Sequence, residues 1–148
     1  MIYTFYSYKG GVGRSMALVN VAELIYRAGL NVIMVDWDLE APGLEKFYPD
    51  LSEQVLSRPG VIDLLVSYKE KAARYRPDSQ EPLLSSNDVT SLLIDMHPDA
   101  DVPGRLQLLP AGRRANERFL EYANRVKTFD WQDFYHNWEG EVYFEWLR

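Results

Sequence analysis

The 148-residue chain contains no cysteine, so disulfides, zinc–thiolate sites, iron–sulfur clusters and thiol nucleophiles are excluded. Histidine is almost as scarce. The two present, His97 and His136, have no second His or Glu at ligand spacing, which argues against a metal site of their own. No apolar run approaches the roughly 20 residues that span a bilayer. The start, Met1-Ile2-Tyr3-Thr4-Phe5, lacks the basic flank and cleavage site of a secretory signal. Positive charge is in the minority, 16 Lys and Arg against 22 Asp and Glu, for a net charge of −6. That balance argues against a protein whose whole surface binds nucleic acid, and leaves such a role only to a local basic patch. Apolar residues (47%) and aromatics (14%) are instead too abundant for a disordered tail. These features predict a cytoplasmic chain of single-domain size without a transmembrane segment.

Residues 1–7 form a short β-branched and aromatic run that predicts a buried strand. A Gly-rich turn follows, then a helical pattern with Met16, Val19, Val21, Leu24 and Ile25 apolar, stopped by Gly29. Val32-Ile33-Met34-Val35 predicts a second buried strand that runs into Asp36-Trp37-Asp38. Strand, turn, helix and strand in this order make a β-α-β unit, the building block of a parallel sheet flanked by helices. Further on, 60–76 reads as a helix with Leu64, Leu65 and Tyr68 on one face, and 76–87 as a loop rich in Pro, Asp and Ser. Leu92-Leu93-Ile94 and Leu106-Gln107-Leu108-Leu109 read as short strands, and the chain is helical from Asn116 onward.

Tyr8-Lys9-Gly10-Gly11-Val12-Gly13-Arg14-Ser15 has the frame of a phosphate loop between a strand and a helix. Glycines let the backbone turn its N–H groups around phosphates, and the following helix points its positive end at the same anion. A cation at the end of the frame reaches the outer phosphates, and a hydroxyl beside it holds Mg²⁺. Tyr8 stands where the first Gly of the common frame is found, and Arg14 where Lys is found. The plainer alternative is a tight Gly turn with no ligand.

Lys9-Gly10-Gly11-Val12-Gly13-Arg14-Ser15 resembles the deviant Walker A loop of MinD/ParA-type P-loop ATPases, in the variant group with Arg in place of the second Lys. The resemblance continues through Asp36-Trp37-Asp38-Leu39-Glu40-Ala41-Pro42-Gly43-Leu44, similar to the family's switch segment, and more loosely to Leu108-Leu109-Pro110-Ala111-Gly112. It implies ATP and Mg²⁺ as cofactors and a homodimer that sandwiches the nucleotide. Lys9 is then the signature lysine that reaches the partner copy's phosphates. Gly10, Gly11, Val12, Gly13 and Met16 belong to the cradle, Arg14 contacts phosphate, and Ser15 ligates Mg²⁺. Asp36 serves the metal shell and Asp38 orients the attacking water. The implied function is nucleotide-switched regulation of a protein partner; a non-hydrolysing nucleotide-sensing or interaction module is the alternative. A phosphotransferase on the same loop is a distant third, with no acceptor site visible.

Read on their own, Asp36 and Asp38 lie at the C-terminal end of a strand, where open parallel sheets bind ligands. Alternation along an extended segment puts both carboxylates on one side and Trp37 on the other. Capping of the next helix is the competing reading. Arg113, Arg114, Arg118, Arg125 and Lys127 form a basic stretch, read first as a solvated face and second as a contact for phosphate, a partner or nucleic acid. Trp131, Phe134, Tyr135 and Trp138 recur at helical spacing, and with Phe144, Trp146 and Leu147 they demand a surface to pack against. No apolar strand ending in Asp occurs between Trp131 and Arg148. Against the family pattern, residues 1–148 therefore correspond to the N-terminal portion of an ATPase domain: phosphate loop at 8–15, switch-like segment at 36–44, Walker B and later strands absent. Such a portion alone is expected to be inactive, and a missing half is expected as a partner of part of the aromatic surface.

Overall fold

The computed structural model describes residues 1–9, 11–76 and 82–148. Gly13, at a left-handed φ of 79°, turns the chain into α1 (Arg14–Arg27), and Gly29 at φ 86° takes it out. The amides of Ala28, Gly29 and Leu30 fold back on the carbonyls of Leu24, Tyr26 and Ile25, so the helix ends at the expected stop. β1 (Val32–Val35) follows, then 3₁₀ turns at Leu44–Phe47 and Pro49–Leu51, α2 (Ser52–Ser57) and α3 (Val61–Arg74). Next come α4 (Ser86–Thr90), β2 (Ile94–Asp95) and β3 (Leu106–Leu109). The chain finishes with α5 (Arg118–Thr128), α6 (Trp131–Asn137) and α7 (Gly140–Leu147). The loop expected over 76–87 falls partly on 77–81, outside the described residues.

The architecture is mixed α/β around a three-stranded sheet in the order β1-β3-β2. β1 and β3 run parallel, Val32 opposite Leu106 and Val35 opposite Leu109. β2 is antiparallel to β3, with Ile94 opposite Leu108. Here the expected parallel sheet is corrected. The link from β2 to β3 carries Pro98, Pro103 and Gly104 and is too short for the crossover of a dozen or more residues that a parallel pair needs.

The expected first strand does not form: residues 1–7 have no regular secondary structure, and Met1, Ile2, Tyr3 and Tyr6 are exposed. A strand exists only through its ladder, and β1 has β3 as its one partner among the described residues. The β-α-β unit is thus present only as its α1–β1 half.

Two apolar clusters hold the fold. In the first, Val19, Ala22 and Tyr26 of α1 pack on Met34, Leu106 and Leu108 of the sheet, with Leu44, Tyr48 and Val55 closing the rim. In the second, α3 supplies Val61, Ile62, Leu64, Leu65 and Tyr68, and meets Tyr122, Phe134 and Tyr143 of the C-terminal helices. The start of α3 docks on the Pro110–Gly112 turn: Val61 and Ile62 donate to the carbonyls of Pro110 and Ala111 at 2.8 and 3.0 Å. A Cβ on Gly60 would lie 1.9 Å from the Pro110 oxygen, so only glycine permits this approach.

The aromatic stripe is satisfied largely within the chain. Phe134 is fully buried, with Tyr68, Tyr143 and Phe144 against it, while Trp131 and Tyr135 stay partly exposed. Other apolar residues left open include Ile2, Tyr3 and Tyr6, Leu24 of α1, Ile33 of β1, and Phe119 and Leu120 of α5.

Candidate functional site

The loop before α1 carries two left-handed glycines, Gly11 at φ 75° and Gly13 at φ 79°. Gly10 lies outside the described residues. Gly13 offers no side chain to cap the helix, and the first turn of α1 holds no acidic residue. The first-turn amides, those of Arg14, Ser15 and Met16, are among the helix N–H groups that have no intrahelical acceptor. They lie at the positive end of the helix dipole, an arrangement suited to an anion. Val12 and Met16 present exposed side chains beside this turn, and Ser15 is half-buried. Lys9 is exposed and has no ion-pair partner among the described residues. Its backbone closes a small turn with Ser7, whose hydroxyl donates to the Lys9 carbonyl at 2.7 Å.

The acidic segment comes to the same place. Arg14 is ion-paired with Asp38, 24 residues later in the chain. The other oxygen of Asp38 accepts the Ala41 amide at 3.2 Å, so this carboxylate also caps the turn that follows. The extended alternation expected over 36–38 stops at Val35. Trp37 and Leu39 donate their amides two residues back, to Val35 and Trp37, and draw the segment into tight turns. The two carboxylates consequently do different work. Asp36 is buried, and its Oδ2 accepts the amides of Gly43 at 3.2 Å and Leu44 at 3.4 Å. Burial pushes its carboxyl above the ordinary value, against the opposing pull of those two amides and of the Arg114 guanidinium.

Three residues hold the acidic segment from behind. Arg114 pairs with Glu45 at 3.0 Å, both side chains buried, and lies 5.8 Å from the ring centre of Tyr122. Tyr122 donates its hydroxyl to the Leu39 carbonyl at 2.6 Å. Burial holds that phenol up at about 12. Arg114 was expected on a solvated face and is instead interior, because Glu45 meets it across 69 residues of chain. Neither Glu45 nor Tyr122 stands out in the sequence; Tyr122 has only its place on the apolar side of α5 as a signal. Trp37 meets Phe144 of α7 in a T-shaped contact, ring centres 5.5 Å apart, and so ties the acidic segment to the C-terminal aromatics.

The remaining basic residues behave largely as expected. Arg125 bridges Asp63 at 2.9 Å and Glu121 at 2.8 Å, and Arg118 pairs with Glu121 at 3.1 Å. Arg113 is exposed and, with Asp63, Arg118, Glu121 and Arg125, lines a pocket between α3 and α5. His97 meets Glu23 at 2.7 Å beside the rings of Tyr26 and Tyr48, a packed polar cluster. Among the described residues no group of three His, Asp or Glu is placed to hold a metal ion, and no helix is long and apolar enough to cross a membrane.

The first turn of α1, the Arg14 guanidinium and the Asp38 carboxylate thus form one local site of mixed charge. No protein-family model matches the chain, and neither does any curated protein or solved structure.

Proposed function

We propose that the chain is a nucleotide-binding unit of the MinD/ParA-like class of P-loop ATPases, taking ATP with Mg²⁺ and working as a nucleotide-switched dimeric regulator of a protein partner. One observation carries the reading. The glycine turn, the uncapped start of α1 and the acidic segment after β1 meet, as the Arg14–Asp38 pair records. In open α/β sheets this is where a polyphosphate is held, at a helix N-terminus beside the C-terminal end of a strand.

The donors fit the group. The first-turn amides and Arg14 supply positive charge for the outer phosphates, and the planar guanidinium grips two oxygens at once. Mg²⁺ keeps several waters and takes one or two protein oxygens beside the phosphates. The Ser15 hydroxyl suits that role. Asp36 retains Oδ1, which carries no hydrogen bond among the described residues, for the metal's hydration shell. The metal would neutralise charge on the phosphates. Asp38, once away from Arg14, is the carboxylate placed to orient a water, and exposed Lys9 is available to a second copy across the nucleotide. Phosphoryl transfer depends on such positioning and charge neutralisation more than on covalent chemistry.

The same pair favours the second reading, a module that binds ATP without hydrolysing it, since the Asp38 carboxylate is engaged by Arg14. Release of phosphate by the purified protein removes that reading. Calorimetric titration with ATP tests the assignment itself. Arg14→Ala is expected to weaken binding about 10- to 100-fold, the worth of hydrogen bonds to a charged group at roughly 1.5–3 kcal/mol. Unchanged affinity rejects it.

A further inference from the structure

We propose that the Arg14–Asp38 ion pair is a latch: Asp38 occupies the guanidinium in the nucleotide-free chain, and a triphosphate must displace it to bind. The inference rests on the nucleotide reading above and concerns how that site is regulated.

Arg14 opens α1, at the anion-attracting end of the helix, and Asp38 is its one acidic partner among the described residues. A carboxylate and a phosphate compete for the same face of a guanidinium because both offer paired oxygens in one plane. Asp38 therefore mimics the ligand. Both side chains are about one-third exposed, 31% and 37%. A pair so accessible is worth little enough for a multiply charged ligand to displace it. Asp38 also accepts the Ala41 amide through its other oxygen, and its neighbour Trp37 packs on Phe144, so the pair sits in a segment joined to α7. Lys9, exposed and without an ion-pair partner, carries no equivalent lock.

The chemistry gives an inverted expectation for a residue placed in the site: removing the Asp38 charge strengthens binding. Titration of ATP in EDTA, where no metal needs a carboxylate ligand, isolates this effect. Asp38→Asn keeps shape and the Ala41 acceptor, and is expected to tighten ATP binding about two- to fivefold, the factor an exposed ion pair is worth. Glu40→Gln removes the same charge from an exposed neighbour outside the pair and is the control for general repulsion. The latch requires tightening in Asp38→Asn at least twofold beyond Glu40→Gln. Equal tightening in both variants, or unchanged or weaker binding in Asp38→Asn, overturns it while ATP binding stands. Absence of ATP binding in all three proteins overturns the latch and the nucleotide reading together.

Discussion

Phe134→Ala is expected to lower the unfolding free energy by about 3–5 kcal/mol, the cost of emptying a fully buried aromatic site. Phe134 has no exposed surface and sits edge-on or tilted to Tyr68, Phe129, Tyr143 and Phe144, with ring centres 5.4 to 5.9 Å apart. Collapse cannot recover the loss easily. The site is framed by three helices, and Gly140 lies so close that a Cβ there would come within 2.5 Å of the Phe134 ring. Phe134→Leu retains most of the volume and is expected to cost under about 1.5 kcal/mol. Urea denaturation separates the two: the midpoint falls steeply in the first variant and slightly in the second, with the slope unchanged. A domain of this kind is stable by about 5–15 kcal/mol, so the alanine variant gives up a large share. A loss below about 1 kcal/mol would show that the C-terminal helices do not pack on α3 as described.

The second large effect falls on the ion pair behind the acidic segment. Arg114 and Glu45 are 3.0 Å apart, with side chains 5% and 8% exposed. Charges so placed have lost their hydration, and removing either partner strands the other in the interior. Arg114→Met is expected to cost about 3–5 kcal/mol. The double variant Arg114→Met/Glu45→Leu, which replaces the pair by apolar bulk, is expected to regain most of that loss, since buried pairs break roughly even against packed hydrophobic residues. The strain is visible already: Arg114 Nε is buried without a hydrogen-bond partner among the described residues. The Arg114 charge also opposes the rise that burial imposes on the Asp36 carboxyl. The readout is thermal or urea unfolding of the three variants. A single variant as stable as the parent, or a double variant no better than the single, contradicts this view of the pair.

Local patterns were legible wherever neighbours in sequence settle the outcome. α1 with its glycine stop, β1, the core of α3 and β3 all lie where apolar periodicity and turn residues put them. The turn ahead of α1 was likewise readable, because Gly11 and Gly13 stand directly before the apolar-periodic run. What escaped depends on partners distant in the chain. Residues 1–7 have the composition of a strand yet join no ladder of the sheet, and composition says nothing about pairing. Arg114 reads as solvated until Glu45 is brought to it. Asp36 and Asp38 look equivalent, and diverge because one meets the amides of Gly43 and Leu44 while the other meets Arg14. The break between α5 and α6 did carry a local sign, Asp130, whose side chain accepts the Asp133 amide at 2.8 Å.

Amide chemical shifts observed during titration with Mg²⁺-ATP test residue by residue the proposal that the start of α1 receives the phosphates of a nucleotide. The largest changes are expected at Gly11, Val12, Gly13, Arg14, Ser15 and Met16, with smaller ones at Asp38 and Ala41. Changes centred on Arg113, Arg118 and Arg125, or none at millimolar ATP, would contradict it.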